Sequence, residues 1–345
     1  MALRLEFCPL DDAEALMRFV REHWSAGHVL GNSRALLDWQ HRDAAAGRYN
    51  FLVARGADGA ILGILGFIPA SRYDPALAAA DETVWLTTWK VVDGGPAGLG
   101  LMLLRELTRR LAPKWIGTAG LNPQTRGIYQ ALGYRTGRLE RFYRLNPALA
   151  GERLATVPEG WPECPEAEGR TPLLELAPDE FLAATGGLGL DARTQAPRKT
   201  RALVADRYLA HPFYRYRAFM ARDGNSACAI VLRACAHEGA TALRIVDLIG
   251  DPAALASCGP AFDDLLARER AEYLDFYCSG AETPLRAAGF QVLETDGPLV
   301  LPSYFEPFER RNVDILWSLK GPGETVLICK GDADQDRPSL AGVTA

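Results

Sequence analysis

A glycine loop between a strand and a helix limits what this chain can fold into. The strand is the run Val84 to Val92, which is rich in β-branched and aromatic residues and stops at Asp93-Gly94-Gly95-Pro96. A helix begins inside the loop, because apolar residues recur at helical spacing from Leu99 through Leu103, Leu104, Leu107 and Leu111. The pattern therefore predicts a strand, a tight loop and an amphipathic helix in direct succession.

The loop places Gly98 and Gly100 in the first turn of that helix. Backbone N–H groups in a first turn have no partner within the helix and lie at the positive end of its dipole. Residues without a Cβ atom let a bulky anion come close to this backbone. A pyrophosphate is the ligand that such a loop suits.

Two common pyrophosphate-binding patterns do not fit the residues that follow. A Walker loop needs Lys and then Ser or Thr after its last glycine, where this chain has Leu101 and Met102. A dinucleotide-binding fold would have an acidic residue at the end of the next strand. The next predicted strand, Trp115 to Ala119, ends in Gly120, Leu121 and Asn122, which makes that interpretation weak.

The residues after this strand support a third interpretation. Asn122 precedes a short predicted helix that contains Tyr129 and ends in Leu132-Gly133-Tyr134. A strand, glycine loop, helix, strand and Tyr-containing helix in this order resemble the GNAT superfamily of acyltransferases, over about Leu5 to Leu145. One departure is Gly95, which stands where the family loop usually begins with Gln or Arg.

The resemblance implies acetyl-CoA, or another acyl-CoA, as co-substrate. It implies Tyr129 as the acid that protonates the departing thiolate, and Asn122 as a second residue of the catalytic centre. The implied coenzyme-binding residues are Val91, Val92, Gly95, Ala97, Gly98, Leu99, Gly100, Leu101, Asn122 and Tyr129.

The length of 345 residues predicts two domains, and the second half repeats the order of the first. Thr283 to Phe290 echoes Ile128 to Tyr134, with Gly289-Phe290 in the place of Gly133-Tyr134. The predicted fold is therefore α/β, with two tandem GNAT-like domains, each a mixed and mostly antiparallel sheet flanked by helices. The predicted boundaries are 1–147 for a coenzyme-binding catalytic domain, 148–168 for a linker and 169–345 for a degenerate domain.

The loop of the second half lacks the features that favour a coenzyme. Asp251 would repel a pyrophosphate, glycines do not cluster at a helix start, and no tyrosine corresponds to Tyr129. We expect this half to support the fold or to hold the acceptor.

Composition narrows the class of function. A formal charge of −5 and a pI near 5.7 argue against a nucleic-acid partner. The seven cysteines include no C-x-x-C pair, so neither a zinc site nor a disulfide framework is indicated. With no apolar signal core and no run of 18 apolar residues, we expect a cytoplasmic protein without a membrane partner. The sequence leaves the oligomeric state open.

The candidate acceptor side carries aromatic residues and histidines near the N-terminus. Trp24, Trp39 and His41 are predicted to form a wall for the acceptor, and His41 is a candidate base because its pKa suits proton transfer at neutral pH. A base acting through water is an open alternative.

The acidic segment after Lys330 lacks the sixth-position Gly and final Glu of a calcium loop, so no metal is predicted. We expect a solvated tail by default. Its Asp334, Asp336 and Arg337 could instead fold back to bind a cationic amine and a phosphate.

The function that these features favour is N-acyl transfer, in particular N-acetyl transfer, to a primary amine of a small metabolite. The preferred acceptor is a nucleotide-linked amino sugar of surface-polysaccharide synthesis, a setting in which proteins resembling this arrangement occur. Three alternatives stay open: an enzyme like mycothiol synthase, an aminoacyl-transferring enzyme, and a non-catalytic module that binds coenzyme A or another ligand.

Overall fold

A mostly antiparallel sheet of 15 strands runs through both halves of the chain. The computed structural model describes residues 3–340 and 343, apart from 152, 166, 167, 192–195, 303, 306, 307 and 324. The elements of the first half are, in chain order, β1 Arg4–Pro9, α1 Ala13–His23, α2 Val29–Asn32, α3 Arg34–His41, β2 Arg42–Asp43, β3 Arg48–Arg55, β4 Ile61–Pro69, β5 Thr83–Val91, α4 Leu99–Leu111, β6 Trp115–Ala119, α5 Arg126–Ala131 and β7 Arg135–Leu145.

The second half continues with shorter helices and a second set of strands. Its elements are β8 Leu174–Leu176, α6 Phe181–Ala184, α7 Arg201–Val204, β9 Arg217–Asp223, β10 Ser226–His237, β11 Ala240–Gly250, α8 Gly259–Arg268, β12 Ala271–Ser279, α9 Glu282–Ala287, β13 Gln291–Val292, β14 Tyr304–Phe305, β15 Phe308–Glu309, β16 Ile315–Lys320 and β17 Ile328–Cys329.

Each half contains one parallel strand pair joined by a helix. In the first half β5 and β6 are parallel and α4 connects them; in the second half β11 and β12 are parallel and α8 connects them. The other strand pairs of the described chain are antiparallel, which confirms the predicted mixed α/β fold and the repeated order. The apolar positions of α4 explain its packing, since Leu99, Leu103, Leu104 and Leu107 are buried in one core cluster against the sheet.

The two halves exchange strands where they meet. The strand order is β1-β3-β4-β5-β6-β16-β7-β12-β11-β10-β9-β8, so β16 from the second half lies between β6 and β7 of the first. In return, the end of β7 pairs with both β12 and β13. Each half therefore contains a strand supplied by the other, and the boundaries at 147 and 168 stay a prediction.

One helix is shorter than its periodicity predicts. The pattern favours a helix from Gly259 to Tyr273, but α8 ends at Arg268 and Tyr273 lies in β12. The reason is Arg270, whose φ of 50° turns the chain out of the helix before the strand begins.

The default expectation of a solvated tail is wrong. Lys330, Asp332 and Asp334 are all buried, and Asp336 has a side-chain exposure of only 2%. Each acidic side chain of this segment meets a cation, because Asp332 pairs with Lys199, Asp334 with Arg337 and Asp336 with Arg233. Sequence alone cannot reveal that Asp332 and Asp336 pair with Lys199 and Arg233, which lie more than 100 positions earlier in the chain. We call residues 330–339 the C-terminal segment.

Among the described residues, every helix is too short or too polar to cross a bilayer.

Candidate functional site

The two parallel strands of the first half separate and leave an opening between them. Pairing of β5 with β6 covers only Thr83 to Trp85 against Trp115 to Gly117. Beyond that point β5 carries a bulge, because Leu65 pairs with Trp89 while Phe67 pairs with Leu86. The extra residue lies at Thr87 or Thr88, and a bulge of this kind bends the strand locally and ends regular pairing. From Leu86 onward β5 therefore has no partner in β6, and its end leads into the glycine loop; we call this unpaired stretch between β5 and β6 the opening.

The glycine loop presents unpaired donors beside this opening. Gly98 is the N-cap of α4 and has a left-handed φ of 76°. Among the described residues, the N–H groups of Ala97, Gly98, Gly100 and Leu101 have no hydrogen-bond partner. Those of Gly95 and Leu99 are instead bound by the carbonyls of Val92 and Pro96. A cluster of free donors at a helix N-terminus is suited to an anion such as a pyrophosphate.

The strand residues predicted to bind the coenzyme differ in their orientation. The Val92 N–H donates to the Leu62 carbonyl at 2.9 Å, so it is used within the sheet. Because N–H groups alternate sides along a strand, the Val91 N–H points into the opening between β5 and β6. Val91 is thus the better placed of the two to bind a carbonyl oxygen there.

The glycines of the loop serve different purposes. A Cβ atom on Gly98 would meet nothing within 4 Å, so this position favours glycine for its left-handed backbone and not for lack of space. A Cβ atom on Gly100 would lie 3.1 Å from the indole nitrogen of Trp89. Gly100 therefore also lets Trp89 pack against the first turn of α4.

Tyr129 lies between this tryptophan and Tyr134. Its ring packs edge-on against Trp89 at 5.9 Å and against Tyr134 at 5.1 Å, and the residue is 2% exposed. Its hydroxyl has no hydrogen-bond partner among the described residues. Burial raises the pKa of this phenol well above its usual value, so it stays protonated at neutral pH.

Asn122 acts as a cap in the structure. Its side-chain oxygen accepts a hydrogen bond from the Gln124 N–H at 3.0 Å and so begins the turn before α5. The side-chain nitrogen of Asn122 has no partner among the described residues, which leaves it able to donate to a ligand.

His41 is fully buried, and its ring packs against Phe51 of β3. Its Nδ1 lies 3.2 Å from the Phe67 carbonyl oxygen and its Nε2 lies 3.0 Å from the Gln40 side-chain nitrogen. Desolvation lowers the pKa of His41 to about 3, so the ring is neutral. Both nitrogens are occupied within the protein, and the geometry does not favour this residue as a base.

The predicted acceptor residues divide between two spaces on either side of the C-terminal segment. A groove of about 440 Å³ is lined by Trp24, His28, Glu309, Asp334, Gln335 and Arg337. Trp39 lies instead at a small inner cavity of about 20 Å³, together with Asp336 and the Asp334–Arg337 pair. The inner cavity has room for roughly one water molecule. We call the larger space the acceptor groove.

The C-terminal segment connects the acceptor groove to the strand opening. A Cβ atom on Gly120, directly after β6, would collide with the side-chain amide of Gln335. The groove therefore lies next to the end of one splayed strand. Sequence reasoning did not single out Gln335, since a glutamine in a polar tail carries no signal of such a contact.

Comparison with solved structures gives the fold family. No protein-family model and no curated protein sequence matches the chain. A GCN5-related N-acetyltransferase from Anabaena variabilis is similar in structure, with a TM-score of 0.56, 11% identity and coverage of 92% of this chain and 72% of that one. A GCN5-related N-acetyltransferase from Kribbella flavida is also similar, with a TM-score of 0.50, 15% identity and coverage of 92% of this chain and 70% of that one. The chain has the GNAT fold.

The second GNAT-like half keeps the geometry of the first without its key residues. Gly133 and Gly289 have φ values of 80° and 77°, and the N–H of the next residue bonds to Tyr129 O in the first half and to Leu285 O in the second. Leu285 thus stands in the place of Tyr129 and offers no proton. Asp251 accepts a hydrogen bond from the Ala253 N–H at 3.0 Å and puts a carboxylate where the first half has free donors.

Proposed function

We propose that this protein is an acyl-CoA-dependent N-acyltransferase that acts on a primary amine of a small metabolite. The free N–H groups of Ala97, Gly98, Gly100 and Leu101 carry the proposal, because they lie at a helix N-terminus beside an opening between splayed strands. The first half would bind acyl-CoA there, with the pyrophosphate at the loop and the pantetheine along β5.

In this proposal Val91 and Tyr129 are the two residues that contact the reacting thioester. The Val91 N–H would donate to the thioester carbonyl oxygen and stabilise the negative charge that develops when the amine attacks. A C–N bond forms, the C–S bond breaks, and the amine loses a proton. Tyr129 would donate to the departing sulfur, and Asn122 would hydrogen-bond the coenzyme through its free side-chain nitrogen.

The raised pKa of Tyr129 bears on its role. A thiol has a pKa near 8.5, so full proton transfer from a more weakly acidic phenol is uphill unless the thiolate is desolvated as well. Binding of the thioester between β5 and β6, out of contact with water, would supply that desolvation. For the amine proton, we propose relay through water, since both nitrogens of His41 are already bonded.

For the acyl group and the acceptor, we propose acetyl transfer to an amino sugar carried on a nucleotide. The acceptor groove supports an acceptor of moderate size, since its volume of about 440 Å³ falls in the range of small-molecule sites. We propose that the second half supports the fold and holds the C-terminal segment in place. An enzyme like mycothiol synthase is the second candidate, and the groove volume fits it equally.

A two-step experiment tests the proposal. Acetyl-CoA at 100 times its Kd should stabilise the protein by about 2.7 kcal/mol in a thermal-shift assay. Free thiol should then appear when amino sugars and nucleotide-linked amino sugars are supplied. Stabilisation without thiol release from any amine would favour a non-catalytic coenzyme-binding module.

A further inference from the structure

The acceptor groove contains a cation whose hydrogen bonds are not all satisfied. Arg337 donates from one terminal nitrogen to the carboxylate of Asp334 at 2.7 Å and to the Asp334 carbonyl at 3.1 Å. Its second terminal nitrogen, Nη2, lies 2.9 Å from Nε2 of His28. The side chain of Arg337 is 28% exposed, so the groove can reach this guanidinium.

His28 cannot accept both hydrogen bonds that are directed at it. Its Nδ1 faces the Leu30 N–H at 3.2 Å, while its Nε2 faces Arg337. A neutral imidazole has one acceptor nitrogen, and a protonated one has none. Whichever tautomer forms, an N–H of Leu30 or of Arg337 is left without an acceptor. Burial and the Arg337 charge lower the pKa of His28 to about 3, so the ring does not gain a proton at neutral pH.

An anion in the groove would resolve this conflict. Oxygen atoms of a phosphate or carboxylate could accept from Nη2 of Arg337 and leave His28 to accept from Leu30. Trp24 offers a surface for the rest of such a ligand, because it lines the same groove and is 46% exposed. Gln335 lines the groove as well and reaches Gly120 at the end of β6.

The second half fixes this cation in place. The Arg337 backbone carbonyl accepts from the Tyr214 hydroxyl at 3.3 Å, and the neighbouring Asp336 is held by Arg233. The Arg207 side chain donates to the Asp332 carbonyl at 2.9 Å. A guanidinium held at both its head and its backbone loses little conformational freedom when a ligand binds.

We propose that the acceptor amine carries an anionic substituent, a phosphate or a carboxylate, that binds to Arg337 in the acceptor groove while the body of the molecule lies on Trp24. This inference rests on the proposed N-acyltransferase activity and adds the chemical class of the acceptor. Arg337 is then the residue that selects amines with an anionic substituent over amines without one.

Matched pairs of amines test the selection. Glucosamine 6-phosphate is compared with glucosamine, and β-alanine with propylamine, in an acetyl-CoA thiol-release assay. One charge-assisted contact should favour the anionic member of a pair by about 10- to 100-fold in kcat/KM. Arg337→Gln should reduce that preference to about twofold or less, and Arg337→Lys should retain part of it because it keeps the charge without the planar fork.

The control is Arg4→Gln, which removes an exposed arginine on β1 and should leave kcat/KM for each amine, and the preference within each pair, unchanged. An unchanged KM for acetyl-CoA in Arg337→Gln would show that the variant is folded. The phosphate pair and the carboxylate pair separate the two possible anions.

A coenzyme-free measurement separates this inference from the activity itself. Glucosamine 6-phosphate should raise the Tm of the parent but not that of Arg337→Gln, and glucosamine should raise neither. Turnover with no preference for anions would overturn the inference and leave the N-acyltransferase standing. A Tm shift that occurs in the parent but not in Arg337→Gln, without turnover of any amine, would support anion binding in the groove and count against the N-acyltransferase activity. If the parent shows neither a preference for anionic amines nor a Tm shift with glucosamine 6-phosphate, the anion site is ruled out.

Discussion

The anchor of the C-terminal segment is the buried pair of Asp336 and Arg233, and breaking it should have a large effect. The carboxylate accepts from Arg233 Nε at 2.9 Å and Nη2 at 3.0 Å, and from the Tyr216 hydroxyl at 2.8 Å. The side chains of Asp336 and Arg233 are 2% and 10% exposed. Asp336→Asn would keep the shape but leave the guanidinium buried without its counter-charge.

The expected loss of stability follows from this geometry. Removing one partner of a buried ion pair typically costs about 3–5 kcal/mol. For a chain of 345 residues, at about 1.4 °C per kcal/mol, that corresponds to a fall in Tm of roughly 4–7 °C. Burial by itself would raise the pKa of Asp336, but the Arg233 charge outweighs it and holds the pKa well below its usual value. The stabilisation is therefore fully present at neutral pH and is lost only as the pH falls below the usual carboxyl pKa of about 4.

Calorimetry at pH 7 and steady-state kinetics would measure the two consequences. If the segment also forms the acceptor groove, KM for the amine should rise while affinity for acetyl-CoA stays the same. Asp314→Asn is the matched control, because the Arg138–Asp314 pair is 48% and 46% exposed and should contribute less than about 1 kcal/mol. A Tm for Asp336→Asn within about 2 °C of the parent, half of the smallest fall expected, would refute the buried pair. A lower Tm with an unchanged KM would confine the segment to a structural role.

Four other outcomes can be measured. Gly98→Asp should abolish the binding of acetyl-CoA, as measured by titration calorimetry. Gly98→Asn introduces a side chain of the same size that tolerates the left-handed backbone, and it should weaken binding only moderately. Equal binding by both variants would rule out an anion at the loop. Tyr129→Phe should lower kcat by about 10²- to 10⁴-fold without loss of stability, since its hydroxyl has no partner among the described residues, and an unchanged kcat would make it a packing residue. Titration should give one acetyl-CoA per chain, and two would show that Asp251 does not block the second half. Burial raises the pKa of Asp332 above its usual value, so stability should fall as the pH rises above the usual carboxyl pKa of about 4, and Asp332→Asn should flatten that part of the urea-denaturation profile.

Local sequence patterns were sufficient to predict the part of the fold that lies around the coenzyme loop. The strand predicted at Val84 to Val92 is β5 at Thr83–Val91, the helix predicted from Leu99 begins there, and the strand at Trp115 to Ala119 is unchanged. These elements are neighbours in the chain, so hydrophobic period and glycine position are enough to identify them.

Long-range pairing was beyond the reach of such patterns. The residues of β16 contain no signal that directs them between β6 and β7, about 180–200 positions earlier in the chain. The charges of the C-terminal segment likewise resemble a solvated tail until Arg233 and Lys199 are seen beside them. The acceptor groove could not be predicted from the sequence either, because Trp24 and Arg337 are brought together only by the complete fold.

The exchange of β16 and β7 also bears on how the protein is made. A ribosome releases residues 1–145 long before Ile315–Lys320 has been synthesised, so β6 and β7 first exist with a gap between them. Unpaired strand edges are open to incorrect pairing with other chains, and nascent proteins of this size rely on chaperones for that reason. The opening that would receive the coenzyme has β6 as one wall, and β6 gains its second neighbour only near the end of translation. Premature termination anywhere before residue 320 should therefore disable a site whose own residues have all been made.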